Sequence, residues 1–250
     1  MDILIGATGF VGSNYMTQFP KTKSVTRADL YNLNRRIKCE SLIIAAPSAE
    51  KWRANANPKE DLDSSQHLLD KIMDTFQPDR TLVFSTVDVY GVPVKVDETA
   101  KAEPLGAYGR NRLWFSSQLQ SSLPSTTVIR LPGLFGPGLR KNIIFDILHN
   151  RTTEIAKINP ASSFQWAEIS WAVRMSKSYL DQSVVTRNLA VAPIEVSDIP
   201  IMGNWREQLS HTAPLVNYDV RTLEGSSGYL MSRDEVVRGL ESWIGLKDVI

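Results

Sequence analysis

The sequence is poor in the residues that build disulfides and metal centres. It contains one cysteine, Cys39, and three histidines, His67, His149 and His211, among 250 residues. A single cysteine cannot form a disulfide within the chain, and none of these residues has a neighbour at the spacing that metal sites use. These absences exclude a disulfide-stapled fold, predict that no metal is bound, and fit a reducing compartment.

Long hydrophobic runs and an excess of charge of one sign are also missing. No window approaches the ~20 apolar residues of a membrane span, and the chain opens with an acidic residue and a strand-like run instead of a basic targeting segment. The 28 basic residues against 27 acidic ones give a net charge of +1, so no broad field attracts nucleic acid or an anionic membrane. We expect a cytoplasmic protein with neither kind of partner.

Apolar runs rich in strand-forming residues alternate with helix-like segments. The predicted strands are Ile3–Ile5, Ser24–Thr26, Leu42–Ala45, Thr81–Phe84, Thr127–Arg130 and Asn188–Val191. The predicted helices between them are Val11–Phe19, Lys59–Phe76 and Gly106–Ser122. Strand and helix recurring in this order imply right-handed crossovers and a mainly parallel sheet covered on both faces. We therefore predict a doubly wound α/β fold of the Rossmann type.

Three glycines follow the first predicted strand at equal spacing. Gly6, Gly9 and Gly12 lie in the stretch DILIGATGFVG, residues 2–12, directly before an amphipathic helix. In a dinucleotide cradle, one glycine permits a tight turn, one lets the backbone approach a pyrophosphate, and one packs the helix on the strand. The alternative is a strand-to-helix turn without a ligand. The context of strand and helix favours the cradle.

The glycine spacing and four later stretches resemble the short-chain dehydrogenase/reductase superfamily, in its extended branch of NAD-dependent epimerases and dehydratases that modify nucleotide sugars. The stretches are LIIAAPS (42–48), LVFSTVDVYG (82–91), AYGRNR (107–112) and VIRLPGLFGPG (128–138). The resemblance covers residues 1–140 well and implies that they form an NAD(P)-binding domain. It implies a small substrate lobe for residues 141–250, interleaved with the last strands and helices of the main domain.

The resemblance implies hydride transfer with a catalytic Thr86 and Tyr108. In the family, the tyrosine exchanges a proton with a sugar oxygen, the threonine hydrogen-bonds the same oxygen, and a lysine four residues after the tyrosine lowers its pKa and holds the nicotinamide ribose. This sequence has Arg112 at that position. Arginine supplies a permanent cation, but its planar guanidinium is longer than the lysine ammonium and directs its hydrogen bonds differently. The alternatives are an ordinary helix-surface pair of Tyr108 and Arg112, or a fold that binds cofactor without turnover.

The residue after Thr86 helps to choose among the family's reactions. Dehydratases carry two acids there, whereas this sequence has Val87 followed by Asp88. Loss of the first acid disfavours a dehydratase and leaves ketone reduction, or epimerisation through a ketone, as the expected chemistry. Asp88 is also interpretable as a capping or solvated aspartate. The predicted substrate-binding residues are Asp88, Asn142, Gln165 and Trp166. For Trp166, the alternative is packing in the core.

The cofactor is predicted to be NAD or NADP, with NADP favoured. After the second strand, Arg27 stands where NAD enzymes have an acid, and an arginine there accommodates a 2′-phosphate. Asp29 is the alternative, because it could bind a ribose diol, and Arg27 could also be a solvated charge. The resemblance implies a cofactor site at strand ends and helix starts, formed by Gly6, Thr8, Gly9, Phe10, Val11, Gly12, Arg27, Ala45, Ala46, Pro47, Ser85, Tyr108, Arg112, Leu131, Pro132, Gly133 and Leu134.

These features together predict an NAD(P)-dependent reductase or epimerase of a sugar nucleotide or related carbohydrate. The rival hypothesis is a non-catalytic dinucleotide-binding module that senses redox state or binds a protein partner. Trp114, Phe115 and Leu119 follow Arg112 at helical spacings and are expected to pack the helix on the sheet or against a second subunit. The resemblance implies a homodimer through this helix and its neighbour.

Overall fold

A computed structural model describes residues 1–123, 125–201, 203–225 and 227–245. The chain forms two compact units. The first contains Met1–Val92, Ala100–Leu131 and Ser170–Arg187, and the second contains Pro93–Thr99, Pro132–Ile169 and Asn188–Ile250. The largest change of unit in this part of the chain falls between Leu131 and Pro132, because β6 of the main sheet ends at Leu131 and the next strand pairs within the second unit. The sequence predicts a boundary after residue 140. Residues 202, 226 and 246–250 of the predicted lobe lie outside the described residues.

A six-stranded sheet forms the centre of the first unit. Its strands are β1 (Asp2–Ile5), β2 (Lys23–Val25), β3 (Ile37–Ile44), β4 (Phe76–Thr86), β6 (Thr126–Leu131) and β10 (Thr186–Asn188), with β5 (Val94–Val96) belonging to the second unit. The order across the sheet is β10-β6-β4-β3-β1-β2. The pairs β1–β2, β1–β3, β3–β4 and β4–β6 are all parallel, which confirms the predicted doubly wound α/β fold.

Helices connect these strands and cover both faces of the sheet. They are α1 (Phe10–Gln18), α2 (Arg27–Asn32), α3 (Lys51–Ala56), α4 (Pro58–Thr75), α5 (Ala107–Ser122) and, later in the chain, α8 (Ile169–Asp181). On one face, side chains of α2, α4 and α5 such as Leu30, Leu68 and Phe115 pack with alternate strand residues. On the other, Tyr15 of α1 contacts Phe84 edge-on, with ring centroids 6.4 Å apart.

The strand order fixes where a ligand site is expected. The chain leaves β1 toward β2 on one side and returns to place β3 on the other side, so the direction of winding reverses between β1 and β3. In open parallel sheets, ligands bind in the crevice beyond the carboxyl ends of the strands at such a switch point. The loop after β1 and the residues after β3 both end at this crevice, and both were predicted to contact a cofactor.

The second unit is built from short elements. They are β5, β7 (Gly133–Phe135), α6 (Ile143–Leu148), α7 (Thr152–Ile155), β8 (Ser163–Phe164), β9 (Trp166–Glu168), β11 (Ile194–Glu195), β12 (Asp219–Val220) and α9 (Arg233–Gly245). Three two-stranded sheets pair β11 with β8, β12 with β5, and β7 with β9. None of the helices in the described ranges is long and apolar enough to cross a membrane.

The last predicted strand is displaced. The structure places β10 at Thr186–Asn188, whereas the sequence analysis predicts a strand at Asn188–Val191. Leu189, Ala190 and Val191 are fully buried but lie outside any strand. Their hydrophobic run therefore reflects burial in the second unit and not pairing in the main sheet.

Candidate functional site

The loop after β1 brings the first and third glycines into contact. Gly6 has φ +97°, and a Cβ there would lie 2.5 Å from the Ala45 carbonyl oxygen. A Cβ at Gly12 would lie 2.1 Å from the Gly6 carbonyl oxygen. Neither position has room for a side chain, so these two glycines are required by the close approach of α1, β1 and the end of β3.

Gly9 differs from the other two glycines. Its φ of −77° and ψ of 168° are open to any residue, and a Cβ there would lie an ordinary 3.4 Å from the Gly6 oxygen. Gly9 is exposed and caps α1 without a side chain, and the first turn of α1 contains no acid. The chain's own packing therefore does not explain glycine at position 9.

A cavity lies between α2, α3 and α4 beside the end of β3. Arg27, the first residue of α2, lines it together with Pro47, Ser48, Arg53 and Asp61. Arg53 is paired with Glu60 at 3.0 Å, and Arg27 is exposed. The cavity therefore presents an exposed guanidinium close to residues that were predicted to contact the adenosine half of a cofactor.

The end of β2 also defines the environment of Asp29. Thr26 caps α2, and the Asp29 carboxylate accepts hydrogen bonds from the Thr26 N–H at 3.2 Å and from its hydroxyl at 2.7 Å. These hydrogen bonds hold the pKa of Asp29 below its usual value. The arrangement is a capping box. Asp29 therefore stabilises the start of α2, and this role needs no bound ribose.

Thr86 and Tyr108 meet at the carboxyl end of β4. Thr86 is the last residue of β4, and Tyr108 is the second residue of α5. The Thr86 hydroxyl accepts a hydrogen bond from the Asp88 N–H at 3.1 Å, and the Thr86 side chain also acts to lower the pKa of Tyr108. Burial raises the pKa of the Tyr108 phenol, and the nearby charge of Arg112 opposes this effect. Tyr108 is therefore a phenol, and not a phenolate, at neutral pH.

Arg112 is buried and bound to α4. Its guanidinium donates to both oxygens of Asp61, at 2.7 and 3.0 Å, and to the Ser48 carbonyl oxygen at 2.6 Å. The same guanidinium lies over the Tyr108 ring, 4.9 Å from its centroid. Arg112 is 4% exposed. The structure thus places the predicted cation next to the predicted tyrosine, but with its two terminal nitrogens engaged by the chain.

Three residues around Tyr108 are not predicted from the sequence. Asp61 is the partner of Arg112, Lys51 forms an ion pair with Asp88 at 2.7 Å, and the Asn55 Oδ1 accepts the Tyr108 N–H at 2.9 Å. Lys51 and Asn55 are one turn apart on α3. Their position four residues apart, shortly after a predicted strand, is the signal that could have indicated them.

Two further predicted cofactor residues lie at strand ends of the first unit. Ser85 is buried, and its hydroxyl has no hydrogen-bond partner among the described residues. An unsatisfied buried hydroxyl is costly unless a ligand or water completes it. Leu131 ends β6 opposite Thr86 in the sheet register. Ser85 therefore retains hydrogen-bonding capacity beside the Thr86 site.

The remaining predicted residues belong to the second unit. Pro132 precedes β7, which contains Gly133 and Leu134, and Gly133 packs against the Trp166 indole. Trp166 is 3% exposed and stacks on Phe164, with centroids 5.4 Å apart. The structure thus gives Trp166 a packing role in the core of this unit.

Asn142 and Gln165 are engaged by backbone groups. The Asn142 side chain accepts from the Phe145 N–H at 3.0 Å, which caps α6, and donates to the Leu134 carbonyl at 2.8 Å. The buried Gln165 amide donates to the Val191 and Val220 carbonyls at 2.6 and 2.7 Å and accepts from the Val220 N–H. Because these contacts account for both residues structurally, we leave them out of the proposed site.

No protein-family model matches the sequence, and no curated protein matches it. Solved structures with the same fold include MoeE5 in complex with UDP-glucose and NAD (17% identity, TM-score 0.74). A UDP-galactose 4-epimerase has 15% identity and a TM-score of 0.72, and in both comparisons 99% of each chain is covered. A dTDP-4-dehydrorhamnose reductase from Clostridium acetobutylicum has 15% identity and a TM-score of 0.68, covering 99% of this chain and 100% of the other.

These similarities establish the fold. Both units of the chain have counterparts in enzymes of the NAD-dependent epimerase/dehydratase type, since nearly the whole length is covered in each comparison. The expected resemblance is therefore confirmed at the level of the fold.

Proposed function

We propose that this protein is an NAD(P)-dependent oxidoreductase that reduces a ketone on a sugar nucleotide, or epimerises the sugar through such a ketone. The observation that carries the proposal is the proximity of Thr86 and Tyr108 at the carboxyl end of β4. This pair lies at the same edge of the sheet as the glycine loop after β1. Structures with this fold have been solved with NAD and UDP-sugars.

The residues present fit a dinucleotide at the switch point between β1 and β3. Gly9 leaves open backbone at the start of α1, and the Ser85 hydroxyl is buried without a partner in the described part of the chain. Gly6, Thr8, Phe10, Val11 and Gly12 would complete the pyrophosphate loop, and Ala45, Ala46 and Pro47 would border the adenosine. The bound cofactor would supply or accept the hydride.

The chain's own residues would handle the proton. In reduction, the Tyr108 phenol donates its proton to the ketone oxygen as the carbon is reduced, and the Thr86 hydroxyl hydrogen-bonds the same oxygen. The raised pKa of Tyr108 favours this direction, because a proton donor must be protonated at the working pH. The absence of a second acid beside Asp88 is consistent with reduction or epimerisation instead of dehydration.

We propose that the preferred cofactor is NADP. Arg27 is exposed at the cavity that Pro47 and Ser48 also line, and β2 ends two residues before it. A guanidinium binds a phosphate through paired charge-assisted hydrogen bonds. Asp29, the residue that would instead favour NAD, is already hydrogen-bonded to Thr26.

We also propose a homodimer formed through the outer faces of α4 and α5, which sedimentation would test.

One observation favours the second candidate, a non-catalytic cofactor-binding module. Both terminal nitrogens of Arg112 are hydrogen-bonded to Asp61 or Ser48, so Arg112 is not available to hold a ribose as the family's lysine does. A module of this kind would bind the cofactor and respond to its redox state without turning over a sugar. The two candidates share the fold and the glycine loop and differ only in chemistry.

Calorimetry with NAD, NADH, NADP and NADPH, followed by a nicotinamide absorbance assay with 4-keto sugar nucleotides, tests the proposal. We expect binding of at least one cofactor and oxidation of the reduced form in the presence of substrate. Binding without turnover on a broad substrate panel would support the module. A folded protein that binds none of the four dinucleotides would refute both candidates.

A further inference from the structure

A cluster of polar contacts beside Tyr108 contains an exposed lysine. Lys51 Nζ lies 2.7 Å from Asp88 Oδ1, and the Lys51 side chain is 50% exposed whereas that of Asp88 is 20% exposed. The other Asp88 oxygen lies 3.5 Å from the Thr86 hydroxyl. The ammonium, carboxylate and hydroxyl therefore form one connected cluster, and all three residues act on the electrostatics of the Tyr108 phenol.

The position of Lys51 relative to Tyr108 is fixed by α3. Asn55 accepts the Tyr108 N–H at 2.9 Å, and so caps the start of α5 from a neighbouring helix. Gly106, the residue at the N-cap of α5, has no side chain with which to do this. Lys51 is four residues before Asn55 and on the same face of α3. The contact that orders α5 therefore also holds Lys51 near the phenol.

Arg112 and Lys51 are cations of different kinds. Arg112 is buried, paired with both oxygens of Asp61, and cannot lose its proton in a protein. Lys51 is a compact charge on a flexible stem that reaches solvent, and its partner Asp88 is itself close to Thr86. The charge near Tyr108 that can respond to a bound ligand is therefore that of the Lys51–Asp88 pair.

We propose that Lys51 is a positioning residue for Tyr108, and that its ion pair with Asp88 sets the acid strength of the phenol beside the fixed charge of Arg112. The inference rests on the proposed proton-transfer role of Tyr108. The charged groups that face the phenol are Arg112 on its own helix, Asp88 after β4, and Lys51 on α3.

The electrostatics of Tyr108 agree with this assignment. Burial raises its pKa most, Arg112 lowers it, Asp88 raises it, and Lys51 lowers it. Lys51 and Asp88 act in opposite directions, so loss of either one exposes the effect of the other. A variant at position 51 should therefore move the pKa of Tyr108 upward, and one at position 88 should move it downward.

The test is a titration of residue 108 in the cofactor-free full-length protein. A ring-fluorinated tyrosine incorporated at position 108 has a more acidic phenol, which brings its titration into the range where the protein stays folded, and ¹⁹F NMR reports its ionisation. We expect Lys51→Met to raise the pKa of residue 108 above that of the wild type, because a nearby positive charge favours the phenolate. Asp88→Asn should lower it, and the double variant should return it close to the wild-type value.

Two further variants separate charge from structure. Lys51→Arg keeps the positive charge and should keep the wild-type pKa. Lys59→Met is the matched control, because Lys59 forms an exposed ion pair with Asp63 at 2.6 Å on α4 and is not among the charges that act on Tyr108, and it should leave the titration unchanged. An unchanged pKa in Lys51→Met, an equal rise in Lys59→Met, or a rise in Lys51→Arg would overturn the inference.

The outcome does not depend on turnover. If the pKa of residue 108 follows the charge at position 51 but no sugar nucleotide is turned over, the inference stands and the proposed function fails. If turnover is found and the pH profiles of wild type and Lys51→Met coincide together with unchanged titrations, the inference fails and the proposed function stands.

Discussion

Arg112 and Asp61 form a two-pronged ion pair that joins α5 to α4. The Nη2–Oδ1 distance is 2.7 Å and the Nη1–Oδ2 distance is 3.0 Å, with the Arg112 side chain 4% and the Asp61 side chain 12% exposed. The pair places a positive charge over the Tyr108 ring while it satisfies that charge with α4. The residue that departs most from the family pattern is therefore also a structural link between two helices.

Loss of Arg112 should destabilise the protein strongly. Arg112→Met leaves the largely buried Asp61 carboxylate without its ion-pair partner and with only the Asn111 amide, 2.8 Å away, as a side-chain hydrogen-bond donor. We expect the free energy of unfolding to fall by about 3 kcal/mol in urea titrations. Arg112→Met/Asp61→Leu should recover part of this loss, because no unpaired charge remains. The free energy of unfolding of Arg112→Lys should lie between that of Arg112→Met and that of the wild type, because the lysine ammonium keeps the charge but cannot pair with both Asp61 oxygens as the guanidinium does.

The matched control for this prediction is Arg53→Met. Arg53 pairs with Glu60 at 3.0 Å on the surface, where both side chains are more than half exposed. Exposed ion pairs contribute up to about 1 kcal/mol. Equal losses of stability in Arg112→Met and Arg53→Met would contradict the structural role of the buried pair.

The three glycines should respond differently to substitution. Gly12→Ala places a methyl group 2.1 Å from the Gly6 oxygen and should cost about 1–3 kcal/mol of stability. Gly9→Val meets no such contact and should change stability by less than about 1 kcal/mol. Because its side chain would occupy the space of a pyrophosphate, we expect cofactor affinity to fall roughly tenfold or more, about 1.4 kcal/mol.

Thermal unfolding and calorimetry on the same samples distinguish the two effects. Gly239→Ala in α9 is the control, since its Cβ would lie an ordinary 3.5 Å from the Phe135 ring. It should leave cofactor affinity unchanged. A Gly9→Val protein that binds the dinucleotide as tightly as the wild type would show that the loop is only a turn.

The sheet and the glycine loop could be predicted from the sequence because their signals are local. Each central strand contains a short apolar run, and Gly6 and Gly12 are required by contacts among residues near β1 and the end of β3. Helix α8 was missed, although its buried residues Ile169, Val173, Ser176 and Leu180 recur at helical spacing. They occur after Pro132, where short strands of the second unit obscure the alternation.

The contacts around Tyr108 could not be predicted because they join distant parts of the chain. Arg112 and Asp61 are 51 residues apart, and Asn55 is 53 residues from Tyr108. Lys51 and Asn55 lie on α3, a short helix that ends at Ala56, just before Pro58 begins α4, and that is not predicted from the sequence. The site residues named from the resemblance stay predictions, and the structure adds the partners that hold them.

Arg27 should determine the choice between the two dinucleotides. Arg27→Ala removes a guanidinium that would bind the 2′-phosphate, so NADPH affinity should fall by roughly tenfold or more. NADH affinity should change little, because NADH has no phosphate at that position. Arg36→Ala, which removes an exposed cation in the loop after α2, is the control. Equal losses for both cofactors in Arg27→Ala would show that Arg27 is a solvated charge.

Tyr108 should be required for turnover and not for cofactor binding. Tyr108→Phe removes only the phenol oxygen, so we expect the rate of ketone reduction to fall by about a hundredfold or more while dinucleotide affinity is retained. Tyr31→Phe, at a tyrosine of α2 that is 45% exposed, controls for the loss of a hydroxyl. A rate unchanged in Tyr108→Phe would refute the assignment.

The pH dependence gives a second measure of the same residue. The pKa of Tyr108 is raised by burial, so the phenol stays protonated through neutral pH and loses its proton only under more alkaline conditions than an exposed tyrosine. Ionisation of Tyr108 should therefore not change kcat/KM for ketone reduction near neutral pH. This kcat/KM should fall as the pH rises through the raised pKa of Tyr108. Oxidation of the alcohol, which needs the phenolate, should increase over the same range. A reductive rate that instead increases with alkaline pH would show that Tyr108 does not donate the proton.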